Sequence, residues 1–409
     1  MIEITPSSLI GTIRAPPSKS AAIREYILSA RAPGVSVISN PLYSDDTNAV
    51  LKALQQFGAS IEKKDGALSI CGKNLHAAPC INCGNSGTAM RFLAALAANF
   101  SGTTYFTGDA TLCRRPMQPL LDALARAGAH ISSTGGCAPF SITGPADVAD
   151  ISISGEISSQ FVSALLLSAP KTGRRIRVLG NSVSAPYIDM TLSALQNHGV
   201  YVEKTEDGWF IRPGTVIFPA KTTLPGDYSN AAFFLAGGAL SGDVTVENLP
   251  RASLQGDRII VDLLREFGAD VFVTENSVRV RRAGLTSIEI NLKDAPDLFP
   301  ILCVLATQAK GESRIYGAPQ LKNKESDRIE TTVSFLQSMG ANITKLPDGA
   351  VIKGKTKLTG STIYTHNDHR IAMAGTIAGL CARGTTRIDC DCTAVSYPDF
   401  FADLGKLKK

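Results

Sequence analysis

No apolar run in this chain approaches the roughly 18 residues that a membrane-crossing helix requires. The longest runs, 161–167 and 298–306, read as core helices. The opening MIEITPSSLIG has neither a basic region nor an apolar core, so no secretory or transit segment is expected and a cytoplasmic protein is. Cysteine is sparse: nine in 409 residues, an odd number and too few for a disulfide scaffold. Free thiols are the expectation. Cys80-x-x-Cys83 and Cys390-x-Cys392 are the spacings that need weighing, and a closed zinc site takes four ligands, usually as two such pairs. No metal is expected. GxxxxGK[ST] does not occur, so nucleotide hydrolysis of that type is not indicated. Net charge is only +5, and the basic clusters Arg174-Arg175 and 279–282 are short. They read as solvated faces rather than the dense stripe of a nucleic-acid surface. Neither nucleic acid nor membrane is expected as a partner.

What the chain does have is repetition. A helix-like end followed by Gly and a strand-like stretch recurs as LKALQQFGASIE, LDALARAGAHIS, LSALQNHGVYVE, VDLLREFGADVF, VSFLQSMGANIT and, truncated, FADLGKL. The glycines are Gly58, Gly128, Gly199, Gly268, Gly340 and Gly405. A second series runs from an apolar helix-like segment through Gly34, Gly102, Gly173, Gly242, Gly311 and Gly384 into short β-rich stretches. Both series step by about seventy residues and interleave in constant order. One βαβαββ supersecondary unit is therefore expected six times, grouped as two sets of three, giving an α/β (α+β) chain of two globular domains. Residues 1–16 carry a strand or two with no helix, and the sixth repeat stops soon after Gly405. A C-terminal set lacking its final strands could borrow them from the N-terminus. The expected domains are thus 17–227 and 1–16 plus 228–409, crossing near Pro16-Pro17 and Pro225-Gly226, with a ligand cleft between them.

The repeat aligns scattered polar residues. Ahead of the six long apolar helices stand Ser18-Lys19-Ser20, Asn85-Ser86-Gly87, Ser158-Ser159-Gln160, 227–230 (DYSN), 294–297 (DAPD) and 367–370 (NDHR). Helix starts carry unpaired N–H groups and about half a positive charge. Convergent starts with Lys and Arg beside them make an anion site.

Each segment also has a plainer reading. Ser18 or Ser20 caps the first helix. Lys19 and Arg24 are five apart and point different ways on an ideal helix, which places Lys19 on the entering loop. Gly84 and Gly87 let backbone approach an anion closely. Arg114-Arg115-Pro116 is ordinary surface unless one guanidinium clamps a carboxylate or phosphate. Capping explains one of Ser158 and Ser159 but not both plus Gln160. Ser184 offers a further donor, and so does Tyr187 unless it is core. The run 322–328 (KNKESDR) is the densest in charge, and Lys324 and Arg328 share a helix face, where they repel unless an anion lies between them. Arg370 in a first turn opposes the helix dipole. Asp297 alone reads as a cap.

PSKSAAIR, GNSGTAMR, SSQF, KESDR, NDHR and the terminal SYPDFF, in this order over the whole chain, resemble the EPSP synthase family of enolpyruvyl transferases. The resemblance implies two domains of three βαβαββ units each with the helices inward, an inverse α/β barrel-like arrangement closing on substrate. It implies transfer of the enolpyruvyl group of phosphoenolpyruvate to the 5-hydroxyl of shikimate 3-phosphate, a step toward chorismate and aromatic amino acids. It further implies small-molecule substrates, no cofactor, and a monomer. By motif position, shikimate 3-phosphate is assigned Lys19, Ser20, Arg24, Ser158, Ser159, Gln160, Ser184, Tyr187, Asp297, Gln320 and Lys324. Phosphoenolpyruvate is assigned Lys19, Asn85, Gly87, Arg115, Gln160, Glu325, Arg328 and Arg370. Asp297 is assigned as the base on the 5-hydroxyl and Glu325 as the acid toward the methylene carbon, with Lys19 also in a catalytic role and Lys324 beside Glu325.

The chemistry suits the residues. Both substrates are polyanions, so bringing them together needs fixed cations. A tetrahedral adduct needs one proton donor and one acceptor, which two differently tuned carboxyls supply. Three departures stand out: Val395 where many relatives carry Lys, Gln320 where many have Asn, and Pro17 where many have Gly. Two other readings were weighed. The sister transferase acting on a UDP-amino sugar carries a Cys before its Arg-Pro, but Cys113 lies closer to Arg115 than that pattern asks, and KESDR and NDHR are foreign to it. The other is a non-catalytic anion or nucleic-acid binding module.

Overall fold

A computed structural model of the chain describes residues 1–169, 171–180 and 183–409. Twelve α-helices lie among these residues. They are α1 (Lys19–Arg31), α2 (Asp45–Gln56), α3 (Gly87–Ala97), α4 (Gln118–Arg126), α5 (Ser159–Leu167), α6 (Pro186–Asn197), α7 (Tyr228–Ser241), α8 (Ile260–Glu266), α9 (Phe299–Gln308), α10 (Arg328–Ser338), α11 (His369–Cys381) and α12 (Phe400–Leu407). The chain divides into two compact units, an N-terminal one of 17–224 and a C-terminal one of 1–16 with 225–409.

The repeat is plainest at 80–144. Strand Cys80–Asn82, α3, strand Gly102–Thr107, α4 and the hairpin His130–Ser133/Phe140–Gly144 form one four-stranded sheet. The first two strands run parallel, and the hairpin adds antiparallel with its second strand inside. The same order recurs in four other sheets of the chain. Sheets of three or four strands stay open, and none of them closes into a barrel; the barrel likeness is confined to helices inside and strands outside. Five of the six glycines of the first series carry positive φ, from +75° at Gly199 to +106° at Gly128. Each lets the chain leave a helix end left-handed and enter a strand. Gly405 differs: it lies inside α12, where no strand follows and no left-handed exit is needed.

The two N-terminal strands have different destinations. Ile2–Ile4 pairs antiparallel with Thr386–Ile388, filling one of the places that the sixth repeat leaves vacant. Ile10–Arg14 pairs parallel with Asp243–Glu247 and opens the fourth repeat. In the N-terminal unit, Lys221–Thr223 opens the first repeat in the same way, parallel to Ser36–Ser39.

Helices of each repeat differ in kind. The leading ones are nearly wholly buried and, apart from α1 with its Arg24 and Glu25, mostly apolar: every residue of α7 from Tyr228 to Leu240 lies inside, and α9 and α11 are alike. Such helices belong in a core. The second helices bury one face only, as α4 does with Leu120, Leu121, Ala123 and Leu124. α7, α9 and α11 pack on one another in the C-terminal unit, and α3 packs on α5 in the N-terminal unit. This arrangement brings the helix starts of each unit together.

Candidate active site

In the N-terminal unit the leading helices begin on serine caps. Ser18 accepts from the Ala21 N–H, Ser86 from Ala89 and Ser158 from Gln160. Capping thus falls to Ser18 and not Ser20. Lys19 is the first residue of α1 rather than part of the loop before it, and its Nζ lies 2.9 Å from Asp46. Ser159 follows its cap and is buried.

Arg24 is buried and crosses from α1 to α6. Its Nε donates to the Thr191 hydroxyl at 2.8 Å, and the guanidinium also donates to the carbonyls of Ser20 and Tyr187. Thr191 continues to Ser163 of α5 at 2.9 Å. The Arg24 guanidinium also stands 5.3 Å from the Phe92 ring of α3. Burial pushes Arg24 down to about 10, still a cation at neutral pH. Ser184, at φ +55°, accepts the Tyr187 N–H on its carbonyl, so both residues sit at the entry of α6 beside Arg24.

The second cluster is built around Gly87. A Cβ there would lie 3.0 Å from Nη1 of Arg115 and 3.1 Å from Nη1 of Arg91. Arg115 donates to Asn85 Oδ1 at 2.9 Å, and Asn85 donates to Asp109 at 2.6 Å. Arg91 donates to Gln160 Oε1, and Gln160 donates to the Thr88 hydroxyl at 3.0 Å. Glycine here admits two guanidinium groups beside the first turn of α3, which places positive charge on an already positive helix end. Asn85, Gly87, Arg115, Gln160, Ser158 and Ser159 therefore share one neighbourhood. Arg91, inside the GNSGTAMR motif, was missed as a participant. Cys113 lies in a short 3₁₀ turn, its thiol donating to the Gly108 carbonyl at 3.5 Å.

The C-terminal unit has the opposite character. Asp297 caps nothing. It sits in a 3₁₀ turn before α9 and collects cations: Arg328 at 2.7 Å and Lys324 at 3.2 Å on one oxygen, Arg370 at 2.9 Å on the other. The anion expected between Lys324 and Arg328 is thus the chain's own carboxylate. Burial pushes the Asp297 carboxyl up, but Arg370, Lys324 and Arg328 outweigh it and hold the group well below the usual carboxylate range. Arg328, the first residue of α10, is fully buried and grips three carboxylates: Asp297, Glu325 and Asp368. Burial favours its neutral form, yet those three charges keep it firmly protonated. Asp368 caps α11, accepting the Arg370 N–H at 3.0 Å, and was missed in the sequence although it stands in the NDHR motif. Gln320, in the 3₁₀ turn Pro319–Asn323, donates to the Lys293 carbonyl. Val395 is buried in a 3₁₀ turn next to Ser396, which bonds to Asn230 of α7.

Comparison with known proteins agrees with the residues. The sequence pattern of the family described as EPSP synthase (3-phosphoshikimate 1-carboxyvinyltransferase) matches residues 4–404. A 3-phosphoshikimate 1-carboxyvinyltransferase of Methanocorpusculum labreanum is 48% identical over 99% of this chain and 97% of its own. One of Methanothermobacter thermautotrophicus is 41% identical over 96% and 94%. The solved structure of an EPSP synthase from Acinetobacter baumannii superposes with a TM-score of 0.82 at 29% identity, covering 99% of this chain and 98% of that one. With a family match over nearly its whole length and a relative this similar, the chain belongs to the EPSP synthase family.

Proposed function

We propose that this chain transfers the enolpyruvyl group of phosphoenolpyruvate to the 5-hydroxyl of shikimate 3-phosphate and releases phosphate. The observation that carries the site assignment is the pair of carboxylates Asp297 and Glu325, both held by the buried Arg328. Asp297 takes the proton of the 5-hydroxyl as its oxygen attacks C2 of phosphoenolpyruvate. Glu325 gives a proton to the methylene carbon, which becomes a methyl group in a tetrahedral adduct. Loss of a methyl proton and departure of phosphate then restore the enol ether. Lys324 stands beside these groups.

Cations and helix starts take the anionic groups. Ser158, Ser159 and Ser184 meet the shikimate phosphate, and Lys19, Ser20, Arg24, Gln160, Tyr187 and Gln320 meet the rest of that substrate. Asn85, Gly87, Arg115 and Gln160, with Lys19, Arg328 and Arg370, meet phosphoenolpyruvate. In the ligand-free protein Asp297 is a weak base, because three cations favour its ionised form. An arriving anion that draws on Arg328 and Arg370 raises its proton affinity, so basicity appears when substrate is present. The protein is proposed to act as a cytoplasmic monomer on small molecules, without nucleic acid; light scattering at working concentration checks the monomer.

The test is turnover. Asp297→Ala and Glu325→Ala are each expected to lower kcat at least about a hundredfold, the scale of a lost proton transfer, while the protein stays folded by circular dichroism. Near-parental turnover in both variants overturns the role assignment.

A further inference from the structure

One buried carboxylate near this cluster has no part in the chemistry above. Asp257 is wholly buried in the 3₁₀ turn Gly256–Ile259. It accepts the hydroxyl of Ser229, in the first turn of α7. Gln255 braces the same turn: its Nε2 donates to the Ser229 hydroxyl at 2.7 Å and to Asp227 at 2.9 Å, and its Oε1 accepts the Tyr228 N–H at 2.9 Å. The Ser229 carbonyl in turn accepts Nη1 of Arg370 at 3.4 Å, while Nη2 of Arg370 holds Asp297 at 2.9 Å. A continuous path therefore runs from Asp257 through Ser229 and Arg370 to the proposed base.

We propose that Asp257 is a positioning residue for the transfer: it fixes the turn that seats Arg370, and its negative charge weakens the hold of Arg370 on Asp297, leaving Asp297 a better base. A carboxylate buried at real cost needs a reason to be there. Structure alone would be served by Asn, which accepts the Ser229 hydroxyl equally well. Charge is what Asn lacks. The charges acting here are Asp227, Asp297 and Arg370 around Asp257, and Lys324, Glu325, Arg328 and Arg370 around Asp297. Arg258, on the same turn as Asp257, pairs instead with Asp262 of α8 at 3.9 Å. Burial, and then the charge of Asp297, push the Asp257 carboxyl up to about 6, so the two carboxylates feel each other. The repulsion is mutual, and Asp297 gains proton affinity from it.

The proposal rests on Asp297 being the base. Its test is the pH profile of kcat, with saturating phosphoenolpyruvate and shikimate 3-phosphate, for Asp257→Asn and Ser229→Ala. The Asp257 charge is itself lost as pH falls through about 6, so the parent's kcat declines there; in Asp257→Asn that decline is absent and the acid limb moves to lower pH. The plateau kcat falls about two- to threefold, the most that a base weaker by about half a unit can lose in proton transfer. KM for phosphoenolpyruvate stays level or falls, since Arg370 loses a competitor for anions. Ser229→Ala, which keeps the charge, leaves the limb in place. An unmoved limb in Asp257→Asn, a loss confined to a higher KM for phosphoenolpyruvate, or an equal shift in Ser229→Ala overturns the proposal. If Asp297→Ala turns over normally, the base assignment fails and takes this inference with it. If Asp297→Ala is inactive and Asp257→Asn has the parental profile, only this inference falls.

Discussion

The helix starts of the two units are built from one repeat and do opposite electrostatic work. In the N-terminal unit, Arg24, Arg91 and Arg115 donate to neutral hydroxyl, amide and carbonyl oxygens. Lys19 pairs with Asp46 at 2.9 Å, and the serine caps bring no negative charge to the positive helix ends. In the C-terminal unit, Arg328 and Arg370 donate to carboxylates, and aspartates rather than serines cap α7, α10 and α11. There the cations are already engaged. A ligand must compete for them, and whatever carboxylate it displaces changes its proton affinity. One unit thus sets arginines on neutral acceptors, and the other sets them on carboxylates.

Breaking the comparison hardest is Arg328→Ala. It leaves Asp297, Glu325 and Asp368 facing one another in a buried place, and unfolding free energy should fall by about 3–5 kcal/mol in denaturant titration. Arg115→Ala in the other unit removes the donor to Asn85 Oδ1. It should raise KM for phosphoenolpyruvate by about 10–100-fold, the loss of a charged hydrogen bond, with an unfolding curve close to the parent's. A result in which Arg115→Ala destabilises as much as Arg328→Ala would erase the distinction.

Asp257→Asn sharpens the contrast through stability. The folded carboxyl binds its proton more tightly than an unfolded Asp, so its ionised form costs stability above about pH 6, and that cost is gone below about pH 4. The variant should therefore be more stable than the parent by about 3 kcal/mol at pH 7, and equal to it near pH 4, by thermal melts across that range. Smallest is Gly87→Ala. The added methyl meets only the far ends of two arginine side chains, so folding is nearly unaffected. KM for phosphoenolpyruvate should rise about fivefold, the equivalent of about 1 kcal/mol.

Much of this was legible in the chain. Spacing alone announced six repeats, because the left-handed exits at Gly58, Gly128, Gly199, Gly268 and Gly340 demand glycine at one place in each. The residues at the helix starts were legible for the same reason. Pairings were not. Nothing local says that Asp46 meets Lys19, or that Asp368 and Asp297 share Arg328, since these partners come from segments 27, 40 and 31 residues apart. Asp297 looked like a cap because a lone Asp before an apolar helix usually is one. Only packing of α9 against α10 and α11 turns it toward their arginines. Gly405 misled in the other direction: its sequence context matched the series, but it lies inside α12 and not at a helix exit.

Strand exchange at the N-terminus bears on how the protein is made. Residues 17–224 can settle as soon as they leave the ribosome, since their sheets draw on no segment outside that span. Segments 10–14 and 2–4 precede that span in the chain yet must wait for partners at 243–247 and 386–388. During synthesis these two segments stay unpaired while a whole three-repeat unit is made after them, and the last repeat is sealed by strands made long before it.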